Sequence, residues 1–122
     1  QVHLIHGELF DRAATAGYTV RPGDLGENIT TTGIDLLGLP VGAMLAIGDD
    51  ALVALTGLRN PCPQIDAFQA GLLDVVRYRD AEGEIVRLTG VMGVVVAGGR
   101  VEAGDRIRVA TPPGPLRPLR RV

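Results

Sequence analysis

The stretch Met44-Leu45-Ala46-Ile47-Gly48-Asp49-Asp50-Ala51-Leu52-Val53-Ala54-Leu55-Thr56 decides the fold class. Two short apolar runs, Met44 to Ile47 and Ala51 to Thr56, flank a Gly-Asp-Asp turn, which predicts a β-hairpin. The same grammar extends in both directions. With 17 glycines and 8 prolines among 122 residues, the chain is cut into pieces too short for long helices. Upstream, Gln1 to Ile5 reads as a first strand and Leu9 to Ala16 as a short helix stopped by Gly17. Thr19 to Arg21 reads as extended. A glycine-rich turn, Pro22-Gly23-Asp24-Leu25-Gly26-Glu27-Asn28, then runs into the β-branched strand Ile29-Thr30-Thr31-Thr32. Downstream, Ile65 to Arg77 reads as partly helical. Ile85 to Leu88 and Val91 to Ala97 are strands, the second apolar enough for burial on both faces. Val101 and Ile107 to Val109 complete the sheet. The expectation is a mainly β fold, a closed or nearly closed barrel of six or seven strands with two short helices.

Two segments echo each other, Leu39 to Ile47 and Arg100 to Val109, each placing a glycine turn before a strand. The tail from Thr111 to Val122 is rich in Pro and Arg and reads as an irregular arm packed on the surface. Its Arg117, Arg120 and Arg121 are solvated or contact a partner. The length fits a single domain over residues 1–122. Gln1 is no initiator methionine, so the natural chain is expected to start earlier.

Composition removes whole classes of chemistry. The chain has no lysine, serine or tryptophan. Without lysine there is no internal Schiff base and no P-loop lysine. Without serine there is no serine nucleophile. A net charge of −2 and a pI near 5.6 give no general surface for a nucleic-acid duplex. No apolar run reaches the roughly 18 residues of a spanning helix, so no membrane partner is expected. One unpaired cysteine suits a reducing, cytoplasmic compartment.

That cysteine lies in Leu58-Arg59-Asn60-Pro61-Cys62-Pro63-Gln64-Ile65-Asp66. A lone thiol makes neither an internal disulfide nor a multi-cysteine metal site. Pro61 and Pro63 stiffen its loop. Arg59 and the start of a helix after Pro63 both favour a thiolate. Cys62 is thus either an inert buried thiol or a reactive, metal-binding sulfur. Arg59 and Asn60 either bind an anion or heterocycle edge or serve loop hydrogen bonding. The Gly23–Asn28 turn is a second candidate. Gly26 permits close backbone approach, Glu27 and Asn28 offer an acceptor and an amide, and Thr30 to Thr32 offer hydroxyls, a set suited to a phosphate-bearing heterocycle. The alternative is a hairpin turn capped by Asn28. His3, His6 and Glu8 are expected to be structural rather than metal ligands, since His3 and His6 point to opposite strand faces.

Together these residues resemble the MOSC domain, named for the C-terminal domain of molybdenum-cofactor sulfurases. Three stretches carry the likeness: Val2-His3-Leu4-Ile5-His6-Gly7-Glu8, Pro22 to Asp35 around Gly26-Glu27-Asn28, and Thr56 to Asp66 around Arg59-Asn60-Pro61-Cys62. Gly90-Val91-Met92-Gly93-Val94-Val95-Val96, followed by Gly104-Asp105, also fits. The likeness is strongest to the small stand-alone bacterial members. Those usually carry an earlier strand and a Gly-Asp-His-type turn, a region upstream of Gln1.

The resemblance implies a β-barrel that binds molybdenum cofactor (molybdopterin). Cys62 would be the metal ligand and catalytic sulfur, with Arg59, Asn60, Gly26, Glu27, Asn28, Thr30 and Thr31 lining the pocket. It further implies a reductive molybdoenzyme module acting on small N-hydroxylated compounds. Electrons would come from an external flavin or ferredoxin-type reductase, because the chain has no Rossmann glycine fingerprint and no cysteines for an iron–sulfur cluster. Two alternatives share the same thiol. In one, Cys62 is a sulfur carrier that accepts a persulfide from a cysteine desulfurase, a pyridoxal phosphate-dependent sulfurase. In the other, the domain only holds or inserts the cofactor.

Overall fold

Eight strands, three short helices and one 3-10 turn make up the computed structural model, which describes residues 1–122. The hairpin forms where the sequence places it. Strand β3 (Met44–Ile47) turns at Gly48-Asp49-Asp50 into β4 (Ala51–Leu58), with Ile47 opposite Ala51 and Met44 opposite Ala54. Burial alternates strictly along β4: Ala51, Val53, Leu55 and Gly57 face inward. Ala51, Val53 and Leu55, together with Leu45 and Ile47, form the centre of the larger core. Each such aliphatic side chain contributes about 1.5–3 kcal/mol on full burial.

Strand β1 (Val2–His6) leads into helix α1 (Glu8–Thr15), which ends at Ala16 and Gly17; the latter has φ +92°. Strand β2 (Ile29–Thr31) returns parallel to β1. A parallel return needs a long crossover, and α1 with the glycine-rich turn supplies it. A 3-10 turn covers Leu36–Gly38. After β4 come α2 (Gln64–Phe68) and α3 (Leu72–Val76), then the small hairpin β5 (Arg77–Arg79) and β6 (Ile85–Arg87). Gly71, at φ +88°, breaks the anticipated single helical segment in two, so the chain has three short α-helices rather than two. Thr19 to Arg21 form no strand.

Strands β7 (Val91–Ala97) and β8 (Ile107–Ala110) complete one six-stranded sheet in the order β2-β1-β7-β4-β3-β8. Register shifts between β4 and β7, at Leu52/Val53 and Leu55/Gly57, mark bulges that increase local twist and bend. The sheet is not closed: β2 and β8 are its two edges and share no ladder. The closed form of the expected barrel is therefore corrected to an open one. The two echoing segments end as neighbours, because β3 and β8 pair antiparallel from Met44↔Ala110 to Ile47↔Ile107. Val101 lies outside any strand.

Two expectations about burial are also corrected. Strand β7 is buried only over its first three residues, while Val94, Val95 and Val96 are 39%, 52% and 56% exposed. The reason is topological: β1 pairs with Val91 to Gly93 and no further, so the second half of β7 has a neighbour on one side only. The tail is more than a surface arm. Leu119 joins the larger core, and Leu58 exchanges backbone hydrogen bonds with Arg120 and Val122. Gly57 makes this approach possible, since a Cβ there would lie 2.1 Å from the Val122 side chain. A second apolar cluster, with Ile5, Leu9, Ala13 and Val76 among its members, sits between β1, α1 and α3.

Candidate functional site

His3 organises the site. In the middle of the β1 backbone ladder, its N–H donates to Asn28 Oδ1 at 2.9 Å, and the Asn28 N–H donates to its carbonyl at 2.8 Å. This double clasp fixes the end of the glycine-rich turn against β1. Its imidazole, 6% exposed, donates from Nε2 to the Thr89 carbonyl, which can only accept. Thr89 Oγ1 in turn donates to the Arg59 carbonyl, and the Arg59 N–H donates to the Gly90 carbonyl at 3.0 Å. One strand residue thereby ties together the turn before β2 and the loop after β4.

The helical elbow closes the other side. Asp66 Oδ1 accepts from the Leu73 N–H and links α2 to α3. Gln69 Nε2 donates to the Thr19 carbonyl and Tyr18 Oη to the Ala70 carbonyl, so the elbow is fastened to the segment leading into the glycine turn. These bonds bring Cys62 and the turn to the same place although they are far apart in sequence.

The result is a cavity of about 360 Å³ in which Cys62, Arg59 and Gly26 meet His3, Asp24 and Gln64. Cys62 is partly exposed, and its carbonyl accepts the Ile65 N–H at the start of α2. Gly23 and Gly26, at φ +90° and +85°, have open space where a Cβ would stand, so a ligand can approach this backbone closely. Asp24 Oδ2 accepts the Arg21 N–H and pins the turn.

The other anticipated residues lie around this cavity rather than in its lining. Asn28 spends its Oδ1 on His3. Glu27 is buried, with Oε2 3.4 Å from Thr30 Oγ1 and Oε1 without a partner. Thr30 and Thr31 line a different cavity, of about 400 Å³, beside Asp105 and Arg106 at the open seam of the sheet. Asn60 faces a third cavity and accepts from Arg87 Nε at 3.0 Å. Four polar residues of the lining were given no binding role by the sequence reading: His3, Asp24, Gln64 and Thr89. Strand alternation carried a signal for His3, since it sends His3 away from His6. Nothing local marked Thr89.

His6 and Glu8 share a separate cavity with Asp35. Burial pushes the His6 pKa below its ordinary value, against the opposing pull of Glu8 and Asp35. The Gly33 N–H, bonded to Glu8 Oε2, lowers the Glu8 pKa. No group of three or more His, Cys, Asp or Glu is placed to hold a metal ion. That bears directly on Cys62: one sulfur cannot hold a bare ion, so a metal in its cavity must arrive carrying its other ligands. A soft thiolate suits such a metal, Arg59 suits an anionic part of its carrier, and the open glycine turn gives the carrier room. The residues present fit a metal-bearing organic cofactor.

The family model of the MOSC domain matches residues 1–108. No curated protein matches the chain. Among solved structures, YiiM from Geobacillus stearothermophilus superposes with a TM-score of 0.71 at 22% identity, covering 89% of this chain and 53% of that one. YiiM from Escherichia coli superposes at 0.68 and 20% identity, covering 95% and 57%. At these identities the likeness is one of fold, and the chain spans about half the length of the solved chains it matches.

Proposed function

Because the chain belongs to the MOSC domain family, which is associated with molybdenum-cofactor binding, we propose that the Cys62 cavity holds a molybdenum cofactor and that the chain is the cofactor-holding part of a reductive oxidoreductase. The observation that carries the proposal is the meeting of a partly exposed lone thiol, an arginine and an open glycine turn in one cavity. When bound, the cofactor supplies the two-electron redox chemistry. The chain's own residues do the holding. Cys62 Sγ is the one protein ligand, and Pro61 and Pro63 restrict its loop. The Arg59 guanidinium would hold an anionic part of the cofactor, and the open Gly23–Gly26 backbone would give it room. His3 and Thr89 share the lining of this cavity and position the Arg59 loop.

The substrate class that fits this reading is a small N-hydroxylated compound. Two electrons and two protons convert its N–O bond to N–H and water. A flavin or ferredoxin-type reductase outside residues 1–122 provides the electrons, since Cys62 leaves no sulfur within them for a cluster. A second reading rests on the same exposed thiol: Cys62 carries sulfur as a persulfide received from a cysteine desulfurase.

The test is consumption of an N-hydroxylated base by cofactor-loaded protein with an external reductant, wild type beside Cys62→Ala. Turnover by wild type alone supports the reductase. Equal turnover in both removes Cys62 from the chemistry. A persulfide on metal-free wild type, without turnover in either, transfers the assignment to sulfur carriage. Bound cofactor without turnover leaves a holding or insertion module.

A further inference from the structure

On the far side of the Cys62 loop lies a cavity of about 340 Å³ that the proposed chemistry does not use, with Arg77, Arg79, Arg87 and Arg121 in its lining. We propose that this arginine-lined cavity binds a phosphate group, free or carried by a small organic molecule. The argument starts from charge. The chain as a whole is net negative, at −2, yet a third of its 12 basic residues converge here and no carboxylate lines the cavity. The only ion pair in the structure is Arg100–Glu102, so none of the four has an acid within ion-pair distance.

The backbone register sharpens the point. Arg77 stands directly opposite Arg87 on the β5–β6 ladder. Like charges in that position destabilise a hairpin, and an anion between them reverses the sign of the contribution. Two of the forks are held in place: Arg87 Nε donates to Asn60 Oδ1 and Arg79 Nη1 to the Gly83 carbonyl. Both leave guanidinium N–H groups over for a ligand, in the planar geometry that suits phosphate oxygens. Arg121 arrives on the tail through its pairing with Leu58, and it lies outside the residues matched by the family model. Ile85, on the same face of the hairpin as Arg77, Arg79 and Arg87, adds an apolar wall, which a bare ion does not need and an organic phosphate can use. The inference uses none of the residues proposed to hold the cofactor, and stands independently of that assignment.

The experiment is calorimetric titration of the full chain with orthophosphate and with phenyl phosphate, beside sodium chloride at matched ionic strength. Saturable binding of either phosphate is expected, unchanged by Cys62→Ala. Arg79→Gln and Arg121→Gln, both at exposed positions, should each weaken it about tenfold, the loss of one charge-assisted pair, and the double variant should abolish it. Tighter binding of phenyl phosphate assigns the site to organic phosphates, and equal binding assigns it to the free ion. A chloride response equal to that of phosphate overturns the proposal. So does full binding by the double variant with a wild-type circular dichroism spectrum, or loss of binding in Arg59→Gln alone.

Discussion

Gly90 and Asn28 are small residues on which the site depends, and both give sharp expectations. Gly90 sits at φ +84°, and a Cβ there would lie 1.9 Å from the Leu4 carbonyl oxygen, inside the core. Gly90→Ala therefore combines an unfavourable left-handed conformation with a backbone clash, and should cost at least about 3 kcal/mol in denaturant unfolding. Asn28→Ala leaves the His3 N–H without its side-chain acceptor, worth about 1–2 kcal/mol. Cys62→Ala is the contrasting case. It removes one partly exposed sulfur from a loop and should change stability by about 1 kcal/mol or less, while cofactor retention collapses. The Cys62 and Gly26 positions were legible in the sequence because proline and glycine restrict or free the backbone locally. The roles of Asn28 and Asn60 were not, because each depends on a partner distant in sequence: His3 and Arg87.

At the scale of elements, the β3–β4 hairpin, β1, α1 and β2 follow their local patterns, with ends shifted by no more than a residue or two. Where local pattern misleads, the cause is the neighbour an element finds or lacks. The valine run of β7 reads as a doubly buried strand, but β1 stops opposite Gly93 and leaves Val94 to Val96 exposed. Conversely, the Pro- and Arg-rich tail reads as a surface arm, yet Leu119 is only 6% exposed and packs in the larger core. Leu119→Ala should therefore cost about 2–3 kcal/mol, a core truncation rather than a surface one. Thermal or denaturant unfolding decides this, and a change below about 0.5 kcal/mol, typical of surface sites, would return the tail to the surface.

For the whole molecule, the open sheet keeps its edges β2 and β8 apart, with Thr30, Thr31, Asp105 and Arg106 on the intervening cavity. No helix is long and apolar enough to cross a membrane. Global stability should depend on pH through the cluster at the end of β1. Both His6 and Glu8 have pKa values below their ordinary 6.5 and 4.5. The unfolded chain thus binds more protons than the folded one as pH falls through those values, and stability declines, first below 6.5 through His6 and then below 4.5 through Glu8. His6→Gln should flatten the upper part of that profile and leave the lower part. The central claim concerns the cavity that His3, Asn28 and Thr89 assemble around Cys62. It is tested most directly by measuring molybdenum and pterin per chain in wild type, Cys62→Ala and Arg59→Gln purified from a host that makes the cofactor. The account predicts molybdenum and pterin together on wild type, a severe loss of both on Cys62→Ala, and an intermediate content on Arg59→Gln. Equal molybdenum on wild type and Cys62→Ala, or none on any of the three, would contradict it.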